Sequence, residues 1–197
     1  MYKFAANILK IILSLFGKIK VYQKENLPKS GGYVIACTHT GWVDILWLGI
    51  ATLPTEINYM AKKELFESKL LKWLMNRLHA FPVDRDNPGP STIKIPKRLL
   101  AEGKVVGIFP SGTRTSEDVP LKRGAVTIAA NSKVPIIPAA YIGPNNFSDL
   151  LKRKKPKLIY GKPIYLPENE SRKAGMEVMM SRVNEEFINL SDKLRAK

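Results

Sequence analysis

The sequence predicts an α/β fold: a mostly parallel central sheet flanked by helices, with an amphipathic helix at the amino terminus. Three observations predict it. Short apolar runs rich in β-branched residues recur along the chain. Helical patterns alternate with them, as in sheets built from strand–helix units. Several of the runs are continuous rather than alternating, which suits strands buried on both faces.

The first element is "MYKFAANILKIILSLFGKIK". Phe4, Ile8, Ile11, Ile12, Leu15, Phe16 and Ile19 fall on one side at helical spacing, and Lys3, Asn7, Lys10, Ser14 and Lys18 on the other. An apolar face opposite a basic one is the pattern of a helix lying in a membrane interface. The same periodicity describes a first helix packed on a domain core, and the segment alone does not choose. It does not read as a signal peptide, because no small-residue cleavage site follows and Lys10 interrupts the apolar run. The run also falls short of the ~20 apolar residues that cross a bilayer. The expected division is a membrane-associated helix over 1–22 and one α/β domain over 23–197.

A Gly31-Gly32 turn leads into "YVIAC" (33–37), the first predicted strand. Further strands are predicted at "INYM" (57–60), "AFPV" (80–83), "VVGIF" (105–109), "PIIPAAYIG" (135–143) and "KLIYG" (157–161). Helices are predicted between and after them, at about 43–53, 62–78, 92–102, 122–132 and 171–195. The last carries Met176, Met180, Val183, Phe187, Leu190 and Leu194 at heptad-like spacing.

Composition narrows the function. At 45% hydrophobic residues the chain can bury a core and is not disordered. Its 32 Lys+Arg against 17 Asp+Glu give +15, which calls for an anionic partner: nucleic acid, an anionic membrane or an acidic protein. Cys37 is the only cysteine, so there is no intrachain disulfide and no cysteine zinc cluster. It reads as a small core residue.

Sites in such sheets form beyond the carboxyl ends of strands, and three polar clusters stand there. In "THTGWVD", His39 would leave the first strand and Asp44 would open the next helix. The carboxylate can then hold one ring nitrogen and leave the other as a base. An aspartate that caps a helix beside a loop histidine has the same spacing. In "DRD" (84–86), Arg85 is placed to meet a phosphate or carboxylate, or to pair with Asp84 or Asp86. In "SGTRTSED" (111–118), a turn exposes backbone N–H groups next to Ser111, Thr113 and Arg114, which makes an anion site or a surface turn. His79 ends a helical pattern beside "AFPV" and reads as a helix-end or pocket-lining residue.

The ordered set "HTGWVD", "AFPVDR", "FPSGTR" and "VPIIPAAYIG" resembles the four motif blocks of the glycerophospholipid acyltransferases, most closely their bacterial 1-acylglycerol-3-phosphate branch. The blocks stand in that family's order over about residues 30 to 145. The resemblance implies acyl transfer from a thioester, acyl-ACP or acyl-CoA, to the free hydroxyl of lysophosphatidic acid. It implies His39 as base and Asp44 as its orienting acid. It implies Arg85, Gly112, Thr113 and Arg114 in acceptor binding, with Ser111 in the same block and Pro135 and Pro138 shaping the pocket. Lys62 and Lys104 are the next cations for the phosphate. No metal or cofactor is implied, and the two histidines and one cysteine offer no ligand cluster.

Two positions depart from the family pattern. Thr38 stands where asparagine usually precedes the histidine, and Ser111 replaces the usual glutamate of Phe-Pro-Glu-Gly-Thr. The loss of that carboxylate bears on acceptor binding and leaves the catalytic pair untouched.

A lipid acceptor favours the membrane reading of the amino terminus. It makes an anionic membrane surface a partner and the cytoplasmic face of the cell membrane the expected, peripheral location. "KRKKPK" (152–157) then reads as a contact for headgroups or an acidic carrier protein, or as a solvated loop. The neighbouring reading is an acyltransferase for glycerol 3-phosphate or another lysolipid, since the blocks are shared. A serine hydrolase using Ser111 lacks the glycine two residues earlier that a nucleophile elbow uses. A nucleic-acid module has charge in its favour but no recognisable motif.

Overall fold

The computed structural model describes residues 2–39, 41–84, 87–110 and 123–197. Seven strands form one sheet in the order β1-β7-β6-β2-β5-β3-β4. The strands are β1 (Lys20–Tyr22), β2 (Tyr33–Cys37), β3 (Ile57–Lys62), β4 (Phe81–Val83), β5 (Val105–Ile108), β6 (Ile136–Ile142) and β7 (Lys157–Tyr160). The run from β6 to β4 is parallel, with β2 lying between β5 and β6. β7 turns antiparallel to β6, and β1 follows β7 in parallel. The expected α/β class and mostly parallel sheet are therefore present.

The helices are α1 (Tyr2–Ser14), α2 (Val43–Thr52), α3 (Lys69–Arg77), α4 (Ser91–Ala101), α5 (Gly124–Ser132), α6 (Phe147–Leu151) and α7 (Arg172–Arg195). Every residue of β2 is buried, because helices cover both faces. Side chains alternate across a strand, so Tyr33, Ile35 and Cys37 enter one core with α1, α2 and α6. Val34 and Ala36 enter the other, with α4, α5 and α7. Continuous apolar runs are what this two-sided burial demands.

The structure differs from expectation in four places. The stretch 62–78 is not one helix: a 3₁₀ turn at Lys63–Phe66 precedes α3. β1 and α6 were not expected, since three and five residues carry too little periodicity to read. The first helix ends at Ser14. Residues 20–22 then pair with β7, so the stretch 1–22 contributes a strand to the domain sheet as well as the helix. In α7, Met179 is fully buried whereas Met176 and Met180 are only partly so. Its face is set by Gly175, Met179, Val183, Phe187, Leu190 and Leu194.

α1 serves two surroundings. Leu13 is buried and Leu9 and Phe16 pack on the core, while Ile8, Ile11, Ile12 and Leu15 are exposed. Its apolar circumference is wider than the core uses. Among the described residues no helix is long and apolar enough to cross a membrane.

Candidate active site

β2, β3, β4, β5 and β6 point the same way, so their carboxyl ends share one edge of the sheet. β2 delivers His39 to that edge, and Asp44 lies in the first turn of α2 immediately beyond. The loop brings the two together. His39 Nδ1 lies 3.1 Å from Asp44 Oδ2 and 3.2 Å from Oδ1. Asp44 is fully buried and His39 retains 8% exposure.

Burying a carboxylate requires donors, and the backbone N–H of Gly41 donates to Asp44 Oδ2 at 3.0 Å. The amino terminus of α2 adds a favourable field. Any residue but proline at position 41 could make that bond, and what requires glycine here is volume: a Cβ at this position would lie 2.0 Å from the carbonyl oxygen of Asn145. The loop therefore packs backbone to backbone against the turn after β6. With Nδ1 engaged by Asp44, that nitrogen carries the proton and Nε2 presents a lone pair. Among the described residues Nε2 makes no hydrogen bond.

Two aromatic rings fix the imidazole from β5 and β3. The Phe109 ring centroid lies 4.6 Å from that of His39, and Tyr59 stacks on Phe109 at 6.4 Å. Tyr59 Oη in turn donates to the Ile45 carbonyl of α2 at 3.0 Å. Phe109 opens the "FPSGTR" block, so that block starts against the His39 ring. Ser111, Gly112, Thr113 and Arg114 lie outside the described residues, as does Arg85.

The strand that leads to Arg85 ends at the same edge, where Asp84 accepts from Lys63 Nζ at 2.6 Å. Lys62 closes β3 there, exposed and 3.5 Å from Glu64. Lys104 does not share this edge. It precedes β5 at the opposite end of the sheet and pairs with Glu102 at 2.6 Å, so it is no substitute phosphate ligand. His79 also lies there. It ends α3 in a left-handed conformation, 3.3 Å from Glu56, which precedes β3. Of its two expected places, it takes the helix end.

Thr38, at the asparagine position of the resembling pattern, has a structural task. Its Oγ1 accepts from the Tyr141 backbone N–H at 3.0 Å, extending the junction between β2 and β6. Cys37, one residue earlier, is a buried thiol pushed well above its usual pKa by desolvation and then by the Asp44 charge. It stays protonated and is no competing nucleophile. Pro138 lies in β6 opposite Ala36, within the sheet rather than in a loop. Among the described residues no group of three or more His, Cys, Asp or Glu gathers to hold a metal.

Sequence reasoning missed Thr38 as a joint, Gly41 as a donor, and Phe109 as the ring against His39. Gly41 was legible in principle, since a glycine between a paired histidine and aspartate marks a tight loop. The contact of Phe109 was not, because it depends on the register of β5 against β2.

This geometry can be set beside known proteins. The Acyltransferase family model matches residues 18–142. The chain is 59% identical over 191 residues to the 1-acyl-sn-glycerol-3-phosphate acyltransferase of Bacillus subtilis (strain 168), covering 94% of this chain and 96% of that protein. It is 32% identical over 191 residues to the enzyme of the same name from Streptococcus pneumoniae (strain ATCC BAA-255 / R6), covering 95% and 72%. Its fold matches the crystal structure of the 1-acyl-sn-glycerophosphate (LPA) acyltransferase PlsC from Thermotoga maritima. The TM-score is 0.64 at 22% identity, over 93% of this chain and 80% of that one.

Proposed function

The chain belongs to the Acyltransferase family, and from that premise we propose that it is a 1-acyl-sn-glycerol-3-phosphate acyltransferase. It moves an acyl chain from a thioester to the sn-2 hydroxyl of lysophosphatidic acid, giving phosphatidic acid for phospholipid synthesis. The observation that carries the reading is the buried His39–Asp44 pair at the sheet edge, in a chain 59% identical to the Bacillus enzyme along nearly its whole length.

An alcohol is a poor nucleophile at neutral pH, and a positioned base is worth roughly 10²–10⁴-fold. His39 Nε2 takes the hydroxyl proton as the oxygen attacks the thioester carbon. The new C–O bond forms, the C–S bond breaks, and the proton passes from His39 to the leaving thiolate. Asp44 holds the tautomer and stabilises the imidazolium between these steps. Arg85, Gly112, Thr113 and Arg114, with Ser111 and Lys62, bind the acceptor phosphate. The resemblance supports this for the first four, and Ser111 stands in the same block, in place of the family's usual glutamate. The place of Lys62 at the carboxyl edge of β3 supports it there. The donor is acyl-ACP or acyl-CoA.

The acceptor is a lipid, so the enzyme works at the cytoplasmic face of the cell membrane as a peripheral protein. The outward residues of α1 support this, as does a charge of +15 suited to an anionic leaflet. The basic run 152–157 leads from α6 into β7 at the catalytic edge, beside the exposed Phe147 and Leu151. That position suits headgroups better than nucleic acid.

The purified chain, supplied with either thioester, is expected to form phosphatidic acid from lysophosphatidic acid and to leave glycerol 3-phosphate unacylated. Thin-layer separation of labelled products reads both. Acylation of glycerol 3-phosphate in preference to lysophosphatidic acid would assign the sister activity instead.

A further inference from the structure

We propose that α3 is a second membrane-inserting element, which docks its outward face on an anionic bilayer alongside α1. This rests on the peripheral-membrane reading above and extends it to a part of the chain that reading does not use.

The observation is a helix whose best apolar residues face away from the protein. α3 has no buried residue. Leu70 is 74% exposed and Trp73 54%, and Leu71 and Leu74 are exposed as well. Met75 is the α3 residue that packs on the core. At about 100° per residue, Leu70, Trp73, Leu74 and Arg77 share one arc, and Met75 lies on the other side of the helix. A helix covered only by water has no reason to carry two leucines and a tryptophan on that arc.

The occupant follows from chemistry and place. Arg77 lies within the apolar arc and Lys69 at its border, and α3 itself contains no acidic residue. The Arg77 guanidinium lies 4.9 Å from the Trp73 ring centroid, so apolar ring and cation are presented together. Tryptophan beside a cation on an apolar arc suits the headgroup level of a bilayer. Neighbouring Glu64 is already paired with Lys62, and Glu67 is the nearby exposed carboxylate.

Place gives the second argument. Met75 and Phe66 pack on the same core as Leu9, Leu13 and Phe16, so α1 and α3 lie on one face of the sheet. Of the fourteen exposed large apolar side chains among the described residues, twelve belong to that side. They are those of α1 and its end, Trp42, the stretch 65–74, and α6; Tyr165 and Ile188 are the other two. α6 touches α1 directly, through Phe16 and Phe147. The proposal brings all three elements onto one bilayer surface. α3 begins beyond the 3₁₀ turn that follows β3 at the carboxyl edge and ends beside His79 at the opposite edge, so its insertion would lay this face of the domain along the lipid.

Cys37 is fully buried, which makes the test selective. In the full chain, Leu70→Cys gives one reactive thiol for a nitroxide label. On vesicles of phosphatidylglycerol and phosphatidylcholine, the label is expected to become accessible to oxygen and protected from a water-soluble nickel chelate. Leu70→Glu with Trp73→Glu is expected to weaken vesicle binding by at least about tenfold. Turnover on a short-chain, soluble acceptor should be unchanged. A label that stays open to the nickel chelate on sedimented vesicles, while Ile11→Glu with Leu15→Glu abolishes sedimentation, overturns the α3 proposal and leaves the membrane reading standing. A label immobilised in solution in proportion to protein concentration overturns it in favour of a second copy on this face. A chain that never sediments with the vesicles overturns both readings.

Discussion

Asp44 is satisfied in the core by what donates to it: the imidazole N–H of His39 and the backbone N–H of Gly41. This decides what an isosteric change would do. In Asp44→Asn the side chain fills the same space, but its amide can turn a donor toward Nδ1. The imidazole proton then moves to Nε2, where the base is needed. Turnover should fall by about 10³–10⁴-fold with little change in acceptor KM; steady-state kinetics over both substrates reads the split. Gly41 is constrained in the opposite way, by volume. Gly41→Ala places a Cβ against the Asn145 carbonyl, and overpacking of this kind costs about 1–3 kcal/mol. It should lower the melting temperature and the turnover together. Gly89→Ala, where a Cβ meets nothing within 4 Å, should change neither. The sequence made His39 and Asp44 readable because their contact is local, five positions long. Thr38 and Tyr141 stand 103 positions apart and meet only through the register of β2 on β6.

At the scale of elements, the strands were readable because burial on both faces leaves continuous apolar runs, and β2 is buried throughout. The short pieces were not. β1 forms by pairing with β7, and α6 is a single capped turn in which Asn146 accepts from the Asp149 N–H. α1 read equally as a core helix and as an interface helix, and the structure shows why: Leu9, Leu13 and Phe16 face the core while Ile11 and Leu15 stand 65% and 70% exposed. Deleting the helix would strip packing from Trp47 and its neighbours, so the outward residues are the sharper probe. Ile11→Glu with Leu15→Glu should weaken sedimentation with anionic vesicles and slow turnover on bilayer-embedded acceptor. It should spare the melting temperature and the turnover on a short-chain, soluble acceptor. Equal loss on both acceptors would place the effect in the fold rather than at the membrane.

For the molecule as a whole, the parallel sheet sets the place of the His39–Asp44 pair. Five strands end at one edge, and that edge carries His39, Asp44, Phe109, Lys62 and the basic run 152–157. The face of the sheet that holds α2 also carries most of the exposed apolar side chains, so the lipid contact we propose would fall on the same side of the molecule as α2. The reaction proposed for this arrangement turns on one event, the loss of a hydroxyl proton to His39. Its most direct measurement is the initial rate of phosphatidic acid formation by His39→Ala against the unaltered chain, with circular dichroism and melting temperature confirming the fold. With the base gone and Cys37 held protonated beside it, the rate is expected to fall by at least about 10²-fold. A folded His39→Ala chain that forms phosphatidic acid at the unaltered rate would contradict the account.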